Sequence, residues 1–164
     1  MTQIFIVDDH EIVRTGVKAL VTEMSGWEVC GEAANGKDAI AQVLKLKPDV
    51  VLMDVSMPGM SGIEAARVIR NHDRDVKIVL LSMHDRAHVA AAADAAGAEV
   101  DAYLSKDTLS SDVKRVLSSM YPRPELKLEQ MSDQSENRTS GDLVPHIDGK
   151  CVNQGVDDRS TAVE

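Results

Sequence analysis

The chain predicts an α/β fold: a doubly wound, five-stranded parallel sheet in the order 2-1-3-4-5, with helices on both faces. Two observations carry this. Short apolar runs alternate five times with segments of helical period between Ile4 and Met120. Most of those runs are continuously apolar, as strands covered on both faces require. Five units are too few for eight-fold barrel closure, so the sheet is expected to be open.

The elements follow in order. Ile4–Val7 is the first apolar run. From Ile12 to Met24, Val13, Val17, Leu20, Val21 and Met24 recur at helical spacing. "SGW" (25–27) reads as a turn and "EVCGEA" (28–33) as the second strand. After Asn35–Gly36, the residues Ala39, Ile40, Val43 and Leu44 mark a helix that should stop before Pro48. "DVVLMD" (49–54) is an apolar strand ending in a carboxylate, and "SMPGMSG" (56–62) is a loop. Ser61 is placed to cap a third helix that begins near Ile63. "KIVLLS" (77–82) is the fourth strand. The Ala-rich helix 86–96 should end at Gly97. "DAYLS" (101–105) is a short fifth strand, and Leu109, Val113, Val116, Leu117 and Met120 outline the last helix.

The 164 residues allow one domain and a tail. Residues 1–121 carry the whole pattern. Residues 122–164 are polar, aperiodic and free of aromatics, so a disordered acidic tail is expected there. Apolar residues make up 43% of the chain, and the net charge is −9, which argues against a broad nucleic-acid-binding face. No apolar run reaches membrane-spanning length and no secretory leader is visible, so a cytoplasmic protein with no membrane partner is expected. Cys30 and Cys151 lie far apart without a metal-ligand pattern and read as free thiols.

In a doubly wound sheet, ligands gather at the carboxyl ends of the strands. Strand 1 ends in Asp8 and Asp9, strand 3 in Asp54, strand 4 in Ser82, and Lys106 follows strand 5. Singly, each has an ordinary explanation. Asp8, with Glu11 three residues on, resembles a loose capping box for the first helix. A lone strand-end Ser or Lys usually means nothing. Together they place three carboxylates, a hydroxyl and an ammonium in one crevice. Carboxylates so clustered repel unless a cation joins them. Oxygen ligands of this kind suit Mg²⁺, which can also bridge to a phosphoryl oxygen. Asp54 is then the candidate nucleophile, forming an acyl phosphate.

"IVDDHEIVRTGVKALV", "DVVLMDVSMPGMSGIEAARVIR", "KIVLLSMHD" and "AYLSKD" together resemble the receiver domain of bacterial two-component response regulators, in the NarL/FixJ-like branch. The resemblance spans residues 1–121 and implies a flavodoxin-like sheet. It implies Asp54 as phosphoacceptor, Asp9 as a direct Mg²⁺ ligand and Asp8 as a ligand mainly through water. The backbone carbonyl of Ser56 would complete the protein's metal ligands. Ser82 would be the switch hydroxyl, Lys106 the phosphate-contacting lysine, and Tyr103 the aromatic that rotates on activation. The implied donor is a sensor histidine kinase. The implied reader is an unknown downstream protein at the helix 4–strand 5–helix 5 face, with a phosphorylation-dependent homodimer as a further implied state. The only chemistry implied is self-directed phosphotransfer and autodephosphorylation.

Three features depart from that family. "GAEVDAY" (97–103) is two residues longer than the usual Gly-Ala-x-Gly-Tyr, near Glu99–Val100, with Ala102 in place of Gly. Met83, next to the switch hydroxyl, is bulky where many receivers are small. A helix-turn-helix output domain needs about sixty periodic residues with a basic recognition helix. Residues 122–164 have neither, so no direct DNA binding is expected from this chain. Two other readings remain: a phosphohydrolase of the haloacid-dehalogenase type, and a phosphorylation-independent binding module. The first is disfavoured because Asp8–Asp9 are adjacent rather than Asp-x-Asp. The second sits poorly with an intact Asp54 and Lys106.

Overall fold

A computed structural model of the chain describes residues 1–121. The expected tail, 122–164, lies outside the described residues. The elements are β1 (Thr2–Val7), α1 (Glu11–Thr22), β2 (Trp27–Ala33), α2 (Gly36–Leu46), β3 (Val50–Asp54), α3 (Gly62–His72), β4 (Lys77–Ser82), α4 (Arg86–Ala95), β5 (Ala102–Ser105) and α5 (Leu109–Met120). All strands are parallel and their order is β2-β1-β3-β4-β5.

Side chains alternate between the two faces of each strand, so every apolar run feeds two cores. Phe5, Val7, Val51, Met53, Ile78 and Leu80 pack towards α2, α3 and α4. Ile4, Ile6, Val50, Leu52, Val79 and Leu81 pack towards α1 and α5. β3 is buried along its whole length. This explains why its sequence is apolar without alternation. Each large aliphatic side chain sealed this way contributes about 1.5–3 kcal/mol.

The helix ends follow local chemistry. Ser61 and Glu64 form a reciprocal capping box at the start of α3. Asn35 caps α2 by accepting from the amide of Asp38. Lys47, just before Pro48, closes α2 in the left-handed region at φ 50°. Beyond α4 the chain reverses at Gly97, whose φ of 67° suits a residue without Cβ. At α1 the ordinary explanation of Asp8 as a cap does not hold. The N-cap is His10, not Asp8, and no side chain caps the helix. Asp8 is a buried residue directly following β1, and its carboxylate accepts the His10 amide at 2.9 Å. The Asp8 carboxylate is taken up by the His10 amide and by Lys106, so it does not cap α1.

The longer loop before β5 is anchored at the other edge of the sheet from Asp54. Arg70, in the last turn of α3, donates to the carbonyls of Glu99 (2.9 Å), Arg74 (2.8 Å) and Val76 (2.8 Å). It also pairs with Asp101 at 2.7 Å. Asp101 in turn accepts from the Ile78 amide and from Lys77. Burial alone would raise the Asp101 carboxyl, but the amide, Lys77 and Arg70 together hold it below the ordinary carboxylate range. Arg70, Asp101 and Lys77 thus form a charged clamp at the starts of β4 and β5. Nearby, Tyr121 meets Trp27 edge to face, with ring centroids 5.8 Å apart, and its hydroxyl donates to the Asp49 carbonyl.

Candidate functional site

Parallel strands bring all their carboxyl ends to one edge, and β1, β3, β4 and β5 are neighbours around β3. That edge gathers the polar residues named above. Asp54 ends β3 and is 1% exposed, and Asp8 is fully buried. Ser82 ends β4 and is also buried. Lys106 opens a short 3-10 turn, Lys106–Thr108, directly after β5.

Lys106 reaches across the strand ends. Its Nζ lies 2.6 Å from Asp8 Oδ2 and 3.0 Å from Asp54 Oδ2. These are close charge contacts, but neither oxygen is met by a well-aligned hydrogen bond, nor is Asp9 Oδ1. Asp54 Oδ1 accepts the Ser56 amide at 3.2 Å. Asp8 is held through its backbone too, its carbonyl accepting from Arg14 Nη1 at 2.8 Å.

The electrostatics are lopsided. Burial pushes the Asp54 carboxyl above its ordinary range, and the Asp8 charge adds to this; Lys106 and the Ser56 amide oppose it without prevailing. Burial pulls the Lys106 ammonium down, yet Asp8 and Asp54 outweigh that and raise it. The lysine gains from two carboxylates, whereas Asp54 gains from one lysine shared with Asp8. Three carboxylates meeting one ammonium leave negative charge in excess, which a divalent cation would offset.

One ligand atom each from Asp8, Asp9, His10 and Asp54 can be chosen so that all lie within 4.8 Å of one another. The donor set, three carboxylates with one imidazole beside them, offers the oxygen chemistry that a hard divalent cation takes. Its under-bonded carboxylate oxygens are the groups such an ion would satisfy.

Ser82 Oγ accepts the His84 amide at 2.9 Å. Tyr103 is half-buried and lines a cavity of about 30 Å³ with Ser82, His84, Arg86 and Val89. Burial and Asp94 raise its phenol above the usual value. Met83 is 62% exposed, so its bulk points largely to solvent.

Gly62, N-terminal in α3, was not anticipated as a site residue. Its amide donates to the Val55 carbonyl at 3.0 Å. A Cβ there would lie 1.9 Å from the carbonyl oxygen of Asp54. The backbone that carries Asp54 therefore tolerates only glycine against it. In sequence this glycine is one of two in the loop 56–62, with nothing to set it apart.

The response regulator receiver domain model matches residues 4–118. The chain belongs to that family. Receiver domains are the phosphorylation-operated switches of two-component signalling, and the segment 4–118 is one. Among curated relatives, the response regulator UvrY of Escherichia coli (strain K12) is 40% identical over 121 residues, covering 74% of this chain and 55% of UvrY. VraR of Staphylococcus epidermidis is 38% identical over 120 residues, covering 73% of this chain and 56% of VraR. The chain thus spans little more than half the length of these relatives. A LuxR-family two-component response regulator from Aurantimonas sp. SI85-9A1 superposes with a TM-score of 0.67 at 34% identity, covering 73% of this chain and 85% of that one. Membership in this family disfavours the phosphohydrolase reading, because its relatives are signalling proteins. Among the described residues no helix is long and apolar enough to cross a membrane.

Proposed function

We propose that Asp54 is the phosphoacceptor of this receiver, acting in the cytoplasm in a pocket that takes Mg²⁺ through Asp8, Asp9, Asp54 and the Ser56 carbonyl. The observation that carries this is the placing of Asp54. It is a buried carboxylate at the end of the central strand, faced by Asp8 and by the ammonium of Lys106. When bound, Mg²⁺ would offset the clustered charge and draw a phosphoryl oxygen towards the carboxylate.

A carboxylate oxygen of Asp54 attacks phosphorus, and the bond from phosphorus to the donor breaks. The donor is the phosphohistidine of a sensor kinase, or a small acyl phosphate. The leaving group departs with the electron pair and takes up a proton. Lys106 releases its hold on Asp54 and meets a phosphoryl oxygen as a point charge. The Ser82 hydroxyl, freed from the His84 amide, turns to a second oxygen. Tyr103 moves into the space that Ser82 leaves, altering the α4–β5–α5 face that a downstream protein or a second copy reads. Water later hydrolyses the acyl phosphate and resets the switch.

The test is incubation of the full chain with acetyl phosphate and Mg²⁺, read by intact mass. One added phosphoryl group is expected, and none in Asp54→Asn. Labelling that survives this substitution overturns the assignment. Steady turnover of generic phosphomonoesters favours the hydrolase instead.

A further inference from the structure

Arg14 carries its charge at an unfavourable place. It stands near the start of α1, where the helix itself presents partial positive charge and an acidic residue is the favoured choice. Its side chain is nonetheless drawn in from solvent, at 14% exposure. The guanidinium turns back over the end of β1. Nη1 donates to the carbonyl of Asp8 at 2.8 Å, and Nε faces Glu32 Oε1 at 3.7 Å. Lys18, one turn on, meets the other oxygen of Glu32 at 3.4 Å. Exposed ion pairs of this kind contribute little to folding. The bond to Asp8 is the one that reaches the site.

That carbonyl lies where the sheet stops supplying partners. Val7 makes the last strand pairings of β1, with Ala33 and Met53. Asp8 lies one residue past them, its amide still donating to the Ala33 carbonyl at 3.2 Å. Its Oδ1 accepts the His10 amide, and its Oδ2 meets Lys106. Arg14 completes the hold by donating to the carbonyl. The carbonyl of Asp8 and the amide of Asp9 belong to one rigid peptide plane. Arg14 therefore fixes the tilt of that plane, and with it the direction in which the chain enters Asp9. β2 takes part as well, with Ala33 holding the Asp8 amide and Glu32 facing the guanidinium.

We propose that Arg14 is a positioning residue for the cation site, setting the peptide between Asp8 and Asp9 so that both carboxylates face the ion together. The inference rests on the reading of Asp8, Asp9 and Asp54 as that site. Charge and position act here with opposite sign. A guanidinium beside a cation site repels the ion, so removing its charge alone tightens Mg²⁺ binding. Removing a positioning group loosens it, because Mg²⁺ is exacting about where its ligands stand.

The test is calorimetric titration of the full chain with MgCl₂, beside acetyl phosphate labelling over a range of Mg²⁺. Arg14→Met should raise the Mg²⁺ Kd about tenfold, the lower end of what losing a group that orients metal ligands costs. Arg14→Lys keeps the charge but not the planar fork, and should shift Kd in the same direction. Lys18→Met removes the same charge and also frees Glu32, yet Lys18 makes no bond to Asp8; its Kd should stay at the wild-type value or fall slightly. In labelling, Arg14→Met should need about tenfold more Mg²⁺ to reach half its plateau rate, with the plateau within about twofold of wild type. Mere loss of stability does the reverse, lowering the plateau through the folded fraction and leaving the half-saturating Mg²⁺ in place. A Kd for Arg14→Met equal to wild type or lower overturns the inference, as does a lowered plateau at unchanged half-saturation; the Mg²⁺ reading stands in either case. If Asp9→Ala binds Mg²⁺ as well as wild type, the reading beneath it fails too.

Discussion

Gly62→Ala is the sharpest test of how the acceptor carboxylate is held. The added methyl would sit 1.9 Å from the Asp54 carbonyl oxygen, 2.8 Å from its carbon and 2.9 Å from Met53 Cγ. The closest comfortable carbon–oxygen approach is about 3.3 Å, so the two backbones must separate by roughly 1.4 Å. They cannot do so cheaply. Asp54 is in register with Leu81 on β4, the Val55 amide donates to the Leu81 carbonyl, and the Gly62 amide donates to Val55. Over-packing a core typically costs about 1–3 kcal/mol, and here the obstacle is main chain, so a loss of about 3 kcal/mol or more is expected. A misplacement of about 1 Å at a reacting group can cost about 100-fold in rate. The assay is urea unfolding together with the rate of acetyl phosphate labelling. Gly16→Ala is the reference: that glycine lies in α1, and a methyl added there would meet nothing within 4 Å. It should gain about 0.5–1 kcal/mol in stability and label normally. If Gly62→Ala unfolds within about 0.5 kcal/mol of wild type and labels at the wild-type rate, the close-approach reasoning is wrong.

Asp54→Asn should raise the melting temperature of the metal-free protein near pH 7. Burial and Asp8 raise the folded-state carboxyl, so its ionised form costs stability once pH exceeds the ordinary carboxylate range. The gain should fade as pH falls through that range, where the carboxyl is protonated in folded and unfolded chains alike; a gain that grows on acidification contradicts this. Arg70→Met should cost about 3 kcal/mol by leaving three carbonyls without their donor and taking from Asp101 one of its partners. Below both melting points its labelling rate should match wild type, because the clamp lies at the far edge of the sheet, and a slowed rate would show that the edges are coupled. A chain ending at Tyr121 should melt within about 0.5 kcal/mol of the full chain, since residues 1–121 hold all five strands of the sheet and helices on both its faces. A larger loss in a thermal or urea scan would make residues 122–164 part of the fold.

Much was legible in the sequence because its signals are local or periodic. The run 77–82 coincides with β4, and the spacing from Leu109 to Met120 coincides with α5. The capping box at Ser61 needs only two residues three apart. Even the convergence of Asp8, Asp54, Ser82 and Lys106 could be anticipated, because a parallel sheet sends every carboxyl end to one edge. What the sequence could not reveal depends on distances between side chains that chain order does not set. Asp8 looks like a cap in sequence, yet it is buried beside Lys106. Arg70 and Asp101 are 31 residues apart, and only the docking of α3 against the β5 loop makes them partners. Gly62 reads as loop punctuation until α3 is laid against Asp54. His10 reads as an ordinary surface residue until the turn after β1 aims its ring back over the carboxylates. Period and capping are properties of neighbours along the chain; close approach and charge balance are properties of packing, and only the folded sheet decides them.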